Sequence, residues 1–189
     1  MRIIDAIETH VSPLTGIFNQ AVRDTLWLWT EREDSIEDRR AWIKSRRAEG
    51  FPVLVALENG GASPGKSPGD HTGYVPGGIT DDDTGRVLGY GSYGLYRPAI
   101  PGFDCTVEHS VYVAPDAQGR GVGKKLLNAL IKRAEADTRL KNMVAAIDAE
   151  NDISIRLHAG LGFVERGRLP KIAIKHGLPR DLVLMTRSV

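Results

Sequence analysis

The sequence has little cysteine, no excess of charge and no long apolar run. Its single cysteine, Cys105, cannot form an intramolecular disulfide, which suits a reducing compartment. Lys and Arg number 25 against 24 Asp and Glu, so the net charge is +1 and no general field attracts nucleic acid or a membrane surface. No segment approaches the ~18 apolar residues of a membrane-spanning helix, and residues 1–10 lack the features of a signal peptide. We therefore expect a cytoplasmic protein with no membrane or nucleic-acid partner.

The composition that remains is that of an ordinary globular protein, with 41% hydrophobic and 26% charged residues in 189. A chain of this length buries roughly 70% of its unfolded surface, so a single domain over 1–189 needs no disulfide or metal ion. Segment 59–86 differs, because it holds 8 of the 21 glycines and three prolines without apolar periodicity. We predict that it is a flexible surface insertion rather than a second domain.

Hydrophobic periodicity predicts strands and helices in mixed order, which indicates an α/β fold. Helix starts are marked by Ser12 followed by proline, and by Ser35 followed by two acidic residues. The predicted helices begin at these two serines and cover 121–137 and 154–162, and the predicted strands cover 2–5, 51–57, 87–96, 106–113, 143–147, 163–169 and 182–186.

The junction VYVAPDAQGRGVGKKLL, residues 111–127, places three glycines in five positions between a strand and a helix. A glycine-rich turn at a helix start offers backbone N–H groups without helical partners, which is a favourable place for phosphate. The spacing fits no P-loop, since Gln118 and Lys125 stand where glycine and Ser or Thr are needed. It fits no dinucleotide fingerprint either, since Lys124 or Leu126 falls at the third glycine. On spacing alone, a turn without a ligand is the alternative.

The junction resembles the acetyl-CoA pyrophosphate loop of the GNAT N-acetyltransferase superfamily, whose pattern is Q/R-x-x-G-x-G/A. Gln118, Gly121 and Gly123 fill that pattern. The similarity is to the phosphinothricin and methionine sulfoximine acetyltransferase branch, and it covers nearly the whole chain except 59–86. The segments that carry it are IFNQAV, GFPVLVA, TVEHSVYV, VAAIDAENDISIRLHAGLGF, KHG and DLVLM. It implies a GNAT fold, with a mixed central sheet of about six to seven strands splayed at the cofactor cleft and about four flanking helices.

The resemblance also implies where acetyl-CoA binds as co-substrate, without a metal. The strand edge that would bind the pantetheine arm is formed by Val111, Tyr112 and Val113, and the cradle for the diphosphate comprises Gln118, Gly119, Arg120, Gly121, Val122, Gly123 and Lys124. Asn151, which opens the helix after the fifth strand, matches a cofactor-contacting position. Its alternative role is an N-cap, and the two roles are compatible.

Acetyl transfer requires a neutral amine, but an amine with a pKa of roughly 8 to 10.4 is mostly protonated at pH 7. Glu108 resembles the base proposed in the family, and strand alternation places it on the same face as Ser110 and Tyr112. The alternative is an ordinary strand carboxylate in a salt bridge. His158 stands where many acetyltransferases have a tyrosine thought to protonate the leaving thiolate. A packing or capping histidine is its alternative role.

The resemblance says less about the acceptor. Arg97 matches an arginine expected to bind the substrate's carboxylate, which suits its bidentate guanidinium. The aromatic and imidazole side chains proposed as pocket walls, each of which could instead belong to the core, are Trp27, Trp29, Phe103 and His109. Asp104 and Cys105 stand where related sequences have Arg-His, and Pro179 where they have Trp, so the substrate's name does not transfer directly.

The sequence thus predicts an enzyme that moves acetyl from acetyl-CoA to the primary amine of a small amino-acid-like compound. Two alternatives remain open: an acetyltransferase of protein N-termini, and a non-catalytic sensor that binds acyl-CoA. A homodimer is expected from the family resemblance.

Overall fold

The computed structural model describes residues 1–58 and 85–189. The predicted insertion 59–86 therefore lies outside the described residues except for its last two. The strands are β1 (Arg2–Asp5), β2 (Val53–Leu57), β3 (Val87–Leu95), β4 (Thr106–Val113), β5 (Asn142–Asp148), β6 (Val164–Lys175) and β7 (Leu178–Ser188). The helices are α1 (Val11–Asp24), α2 (Ile36–Ala48), α3 (Val122–Glu135) and α4 (Asp152–Ala159). The predicted mixed α/β class, with about six to seven strands and about four helices, is confirmed by seven strands and four α-helices in the described residues.

The seven strands form one sheet in the order β1-β2-β3-β4-β5-β7-β6. Neighbouring strands pair antiparallel, except β4 and β5, which pair in parallel. That parallel pairing is short, because it runs from Thr106 opposite Asn142 to Glu108 opposite Val144 and then stops within the described residues. Beyond Glu108, β4 keeps its pairing with β3 but not with β5. The sheet is therefore split at its centre, at the carboxyl ends of two parallel strands.

Alternation in β3 assigns the helices to opposite faces of the sheet. A Cβ on Gly91 would lie 3.0 Å from Leu130 of α3, and one on Gly89 would lie 2.6 Å from the Tyr112 carbonyl oxygen. A side chain on Gly89 would therefore meet the backbone of β4, and one on Gly91 would meet both the backbone of β4 and helix α3, which packs on this face. Tyr90 points to the other face and meets the ring of Trp42 in α2 edge-on at 6.3 Å. We call these the α3 face and the α2 face.

The helix starts follow from local capping. At α2, the Ser35 hydroxyl accepts a hydrogen bond from the Asp38 N–H (3.0 Å), and the Asp38 carboxylate accepts one from the Ser35 N–H (3.1 Å). This reciprocal capping box confirms the start predicted at Ser35. Helix α1 begins slightly earlier than the predicted Ser12, because a 3-10 turn over Glu8–His10 leads directly into it.

The C-terminal hairpin is longer than the predicted strands 163–169 and 182–186, and this is a correction. Strands β6 and β7 pair as far as Lys175 opposite Leu178, across register shifts that include one between Leu169 and Ala173. Such irregularities interrupt strict alternation, which is the signal used to predict a strand. The buried Lys175 ammonium donates to the carbonyl oxygens of Val22 (2.7 Å) and Thr30 (2.6 Å), so the hairpin is fixed to the last turn of α1 and to the segment that follows it.

A buried ion pair joins the end of β5 to this hairpin. Arg180 donates to both oxygens of Asp148, at 2.7 and 2.8 Å, and their side chains are only 4% and 1% exposed. Trp29 and the Glu150 N–H also donate to the Asp148 carboxylate, at 2.9 and 3.0 Å. Burial alone would raise the pKa of Asp148, but hydrogen bonds from Arg180, Glu150 and Trp29 outweigh burial and hold it below its ordinary value.

Replacing Asp148 with Asn should destabilise the fold by about 3 kcal/mol or more, because the Arg180 charge would remain buried with a poorer partner. The matched control is Glu165→Gln in the exposed pair with Arg168, which should cost about 1 kcal/mol or less. Urea unfolding followed by circular dichroism measures both. Equal losses in the two variants would contradict a structural role for the buried pair.

Candidate active site

The site is built around the segment of β4 that lies beyond the split. Its side chains alternate between the two faces of the sheet. Glu108, Ser110 and Tyr112 point to the α2 face, where all three line one pocket. His109 points to the α3 face and stacks on His158 of α4, with ring centroids 5.0 Å apart. One strand therefore contributes to two separate compartments.

The glycine-rich junction forms a tight turn at the start of α3. Gly119 and Gly121 have positive φ values of 72° and 76°, which side chains rarely adopt. The first helical bond runs from the Lys125 N–H to the Gly121 carbonyl oxygen. The N–H groups of Val122, Gly123 and Lys124 therefore precede the helical ladder. Together with the positive end of the helix dipole, they suit a diphosphate.

Ion pairs connect this turn to the residues on either side of segment 59–84. Arg120 donates to Glu58 at 2.6 Å, and Glu58 also pairs with Arg86 at 3.7 Å. Arg86 in turn pairs with Asp116, which lies just before the glycine-rich turn. The hydrogen bond from Arg120 is the main cause that lowers the pKa of Glu58. These exposed pairs orient the turn more than they stabilise it.

Asn151 caps α4, since its side-chain oxygen accepts a hydrogen bond from the Ser154 N–H at 3.1 Å. The alternative N-cap role is thus observed. The cofactor contact expected from the resemblance stays a prediction.

Beneath the split, His109 and His158 form a hydrogen-bonded pair. His158 Nδ1 lies 2.7 Å from the Ser154 carbonyl oxygen, which can only accept, so Nδ1 carries the proton of the neutral ring. His158 Nε2 then accepts from His109 Nε2, at 3.1 Å. This leaves His109 Nδ1 as a buried acceptor without a partner in the described part of the chain. Both rings also pack edge-on against Phe163.

This arrangement restricts the predicted role of His158 as an acid. Its Nε2 has no proton in the neutral pair, so proton donation requires the imidazolium form. Burial lowers the pKa of His158, although the hydrogen bond to Ser154 partly opposes that effect. Burial and the neighbouring His158 lower the pKa of His109 to about 3. The pair is therefore neutral at pH 7, and acid catalysis by His158 stays a prediction.

On the α2 face lies a pocket of about 200 Å³. Its side chains are aromatic, charged or hydroxylated, and they are Phe18, Asp34, Arg39, Trp42, Arg46, Ser92, Tyr93, Glu108, Ser110 and Tyr112. Glu108 is solvent-exposed as a residue, yet the pocket walls partly desolvate its carboxyl group. This burial raises the pKa of Glu108, and the nearby Arg46 partly offsets the rise.

The other predicted acceptor residues lie outside this pocket. Arg97 is exposed in the β3–β4 connection with a φ of 53°, and its guanidinium lies 5.6 Å from the Tyr96 ring and 5.9 Å from the Phe103 ring. Trp29 is bound to Asp148, and Trp27 is 45% exposed. The fold thus places Glu108 in the pocket, whereas the predicted acceptor residues Arg97, Phe103 and Trp29 do not line it.

Sequence reasoning missed the contribution of α2. Arg39, Trp42 and Arg46 recur at intervals of three and four residues, so one stripe of the helix faces the sheet. That stripe was the sequence signal that could have indicated the part α2 plays in the pocket.

Within the described residues, no group of three or more potential metal-binding side chains is found, and no helix is long and apolar enough to cross a membrane.

Because the folded protein resists protonation of His109, the unfolded state binds more protons below pH 6.5. Stability should therefore fall as the pH drops from about 6.5 towards about 3. Between pH 7 and pH 5 the free energy of unfolding should fall by about 2 kcal/mol more in the wild type than in His109→Asn. Urea unfolding at both pH values measures this difference. The exposed His176, changed to Asn, is the control and should leave the wild-type dependence intact. If the stability of His109→Asn depends on pH in the same way as that of the wild type, the buried neutral histidine pair is contradicted.

The sequence pattern of the Acetyltransferase (GNAT) family matches residues 16–163. An L-methionine sulfoximine/L-methionine sulfone acetyltransferase from Pseudomonas paraeruginosa is 40% identical over 183 residues, which cover 97% of this chain and 91% of that protein. A phosphinothricin N-acetyltransferase from Streptomyces coelicolor is 30% identical over 190 residues, which cover 100% of this chain and 96% of that protein.

Solved structures give the same result for the fold. The structure of yncA from Salmonella typhimurium, solved with its cofactor acetyl-CoA, matches this chain with a TM-score of 0.83 at 36% identity, and the match covers 100% of this chain and 93% of that one. The ribosomal-protein-alanine N-acetyltransferase from Brucella melitensis has a TM-score of 0.83 at 35% identity and covers 100% of both chains. These findings confirm the resemblance predicted from the sequence, and the chain belongs to the acetyltransferase (GNAT) family.

Proposed function

We propose that this protein transfers the acetyl group of acetyl-CoA to the primary amine of a small amino-acid-like compound, of the methionine sulfoximine or phosphinothricin type. The observation that carries the proposal is the split between β4 and β5, with an anion-binding turn at one end of β4 and Glu108 in a pocket on the α2 face. The relatives that act on these two compounds span nearly all of this chain.

The cofactor compartment fits acetyl-CoA, which supplies the activated acetyl group as a thioester. The N–H groups at the start of α3 would bind its diphosphate. Val111, Tyr112 and Val113 lie beyond the last β4–β5 pair, so this edge of β4 is available to the pantetheine arm. A Cβ on Gly123 would point into the space between Val113 of β4 and Leu157 of α4, at 3.6 and 3.8 Å from their side chains. A methyl group would make ordinary contacts here, but a larger side chain would extend into the gap between β4 and α4.

Glu108 acts as the general base on the acceptor amine. It lies at the last β4–β5 pair, where the pocket on the α2 face meets the split. Partial burial in the pocket raises the pKa of the Glu108 carboxyl group, and a raised pKa makes the carboxylate a stronger base. The proton released when the amine attacks would pass to this carboxylate, directly or through water.

Two other functions remain as alternatives. The similarity to a ribosomal-protein-alanine N-acetyltransferase favours acetylation of a protein N-terminus. A pocket of about 200 Å³ lies below the roughly 300–1,000 Å³ of typical small-molecule sites, which suits a small acceptor better than a peptide. A sensor that only binds acyl-CoA has no need for the glutamate at the split. Release of free thiol in a screen of amino acids, their analogues and N-terminal peptides distinguishes the three.

The homodimer and the cytoplasmic location expected from the sequence stay predictions. Several apolar side chains exposed on the β6–β7 hairpin support a subunit interface, and they include Ile172, Ile174 and Leu178, at 55%, 70% and 50% exposure.

Gly123→Val should raise the Kd for acetyl-CoA at least tenfold, because the side chain would fill the gap between β4 and α4. The residue has no positive φ, so the variant should fold. Gly102→Ala, at a glycine with open space around it, is the control and should bind normally. Isothermal titration calorimetry measures both affinities. Wild-type affinity in folded Gly123→Val would remove the proposed binding mode.

Glu108→Gln should lower kcat by roughly 100-fold or more while the Kd for acetyl-CoA stays within about twofold. Activity should partly recover at high pH, because the amine then loses its proton without a base. The control is Glu37→Gln, an exposed carboxylate on α2. Thiol release measured from pH 6 to 10 gives both profiles, and normal turnover of Glu108→Gln at pH 7 would assign the base to another group.

A further inference from the structure

The acceptor pocket contains two guanidinium groups, and one of them is already occupied. Arg39 Nη2 lies 2.6 Å from Asp34, and the Arg39 side chain is only 4% exposed. Its guanidinium carbon also sits 4.0 Å above the Phe18 ring and 4.9 Å from the Trp42 ring. Arg39 Nε, like Arg46 Nε, is buried without a hydrogen-bond partner in the described part of the chain. What distinguishes Arg39 is its close counter-ion and its fixed place against the aromatic rings.

Arg46 has no comparable partner among the described residues. Its one ion pair within residues 1–58 and 85–189 is with Glu49, at 3.4 Å, and both side chains are partly exposed, at 30% and 43%. Such a long, solvated pair contributes little. Arg46 Nε is buried and lacks a hydrogen-bond partner in the described part of the chain. A guanidinium with unused donors thus lines the same pocket as Glu108.

Gly94 determines where this guanidinium lies. A Cβ on Gly94 would come within 1.9 Å of Arg46 Nη1, so the arginine rests directly on the backbone of β3. Gly94 is the residue opposite Glu108 in the β3–β4 register. Residues opposed in an antiparallel pair have Cα atoms about 4.5–5.5 Å apart and point to the same face. Arg46 is therefore the immediate cationic neighbour of the proposed base.

We propose that Arg46 binds the carboxylate of the acceptor while Glu108 receives its amine, so that Arg46 selects amino acids over simple amines. This assignment rests on the proposed function and gives to Arg46 the role that the sequence predicted for Arg97. In an α-amino acid, two bonds of about 1.5 Å separate the amine nitrogen from the carboxyl carbon. Adjacent receptors for the two groups match that short separation.

The charges of the pocket agree with a zwitterionic acceptor. Asp34 neutralises the charge of Arg39, so Arg46 and Glu108 are the charged side chains of the pocket that can bind the ligand. An amine without a carboxylate would bring its positive charge close to the Arg46 guanidinium, whose pair with Glu49 is long and solvated, and this is unfavourable in a partly desolvated site. A carboxylate removes that repulsion and can accept two parallel hydrogen bonds from arginine.

The test compares L-methionine sulfone with its carboxamide in steady-state thiol release at saturating acetyl-CoA and pH 8. The wild type should favour the acid at least tenfold in kcat/KM. Arg46→Gln should lose most of that preference, mainly through a higher KM for the acid, while its KM for acetyl-CoA stays within about twofold. Arg46→Lys should keep part of the preference for the acid, because lysine retains the positive charge but cannot form the two parallel hydrogen bonds of arginine.

Gly94→Ala provides a second variant that keeps the Arg46 charge. The added methyl group must displace the flexible end of the arginine, so the preference for the acid should also fall. Arg40→Gln is the matched control, because Arg40 lies on the same helix, pairs with Glu8 and does not line the pocket. It should retain the wild-type preference.

The outcomes separate this inference from the proposed function. Equal reaction of acid and amide in the wild type would overturn the carboxylate receptor and leave acetyl transfer standing. Loss of the preference in Arg97→Gln, with the preference intact in Arg46→Gln, would assign the carboxylate to Arg97. If none of the amines tested gives thiol release, the result contradicts the proposed function and, with it, the role of Arg46.

Discussion

The split between two parallel strands is the constraint on which the rest of the site depends. Strands β4 and β5 share only three paired positions, and the last of them is Glu108 opposite Val144. A continuous sheet would satisfy every backbone group and leave no opening. Here the loss of pairing is tolerated because β4 keeps its full register with β3 and β5 keeps its own with β7. Two intact antiparallel halves hold the gap open between them.

Alternation along β4 then divides the chemistry. Successive side chains reach opposite faces, so Glu108 and His109, adjacent in sequence, serve different compartments. The α3 face holds a neutral histidine pair, whose His109 directly follows the last residue paired between β4 and β5. The α2 face is polar, aromatic and charged. A cofactor and an acceptor can therefore approach the same point of the strand from two sides without competing for space.

The sequence predicted the parts that depend on local patterns. The glycine spacing located the turn before α3, the Ser35 capping signal located α2, and TVEHSVYV placed Glu108 on one face with Ser110. The missed parts depend on contacts between distant segments. Arg46 reaches the pocket only because β3 has a glycine 48 positions later, at Gly94, and charges on a helix are normally solvated. His109 meets His158 across 49 residues, which no periodicity reveals.

The ionic contacts around the glycine-rich turn have a consequence for how this chain tolerates change. Glu58 and Arg86 are joined by a backbone hydrogen bond of 2.9 Å and by an ion pair, so the two ends of the intervening segment are fixed next to each other. Glu58 also pairs with Arg120 on the turn, and Arg86 pairs with Asp116 just before it. Doubling the length of a closed loop costs only about 0.6 kcal/mol. The connection between β2 and β3 is thus a place where evolution or an engineer can insert or remove residues while the geometry of the neighbouring turn is preserved by its own anchors.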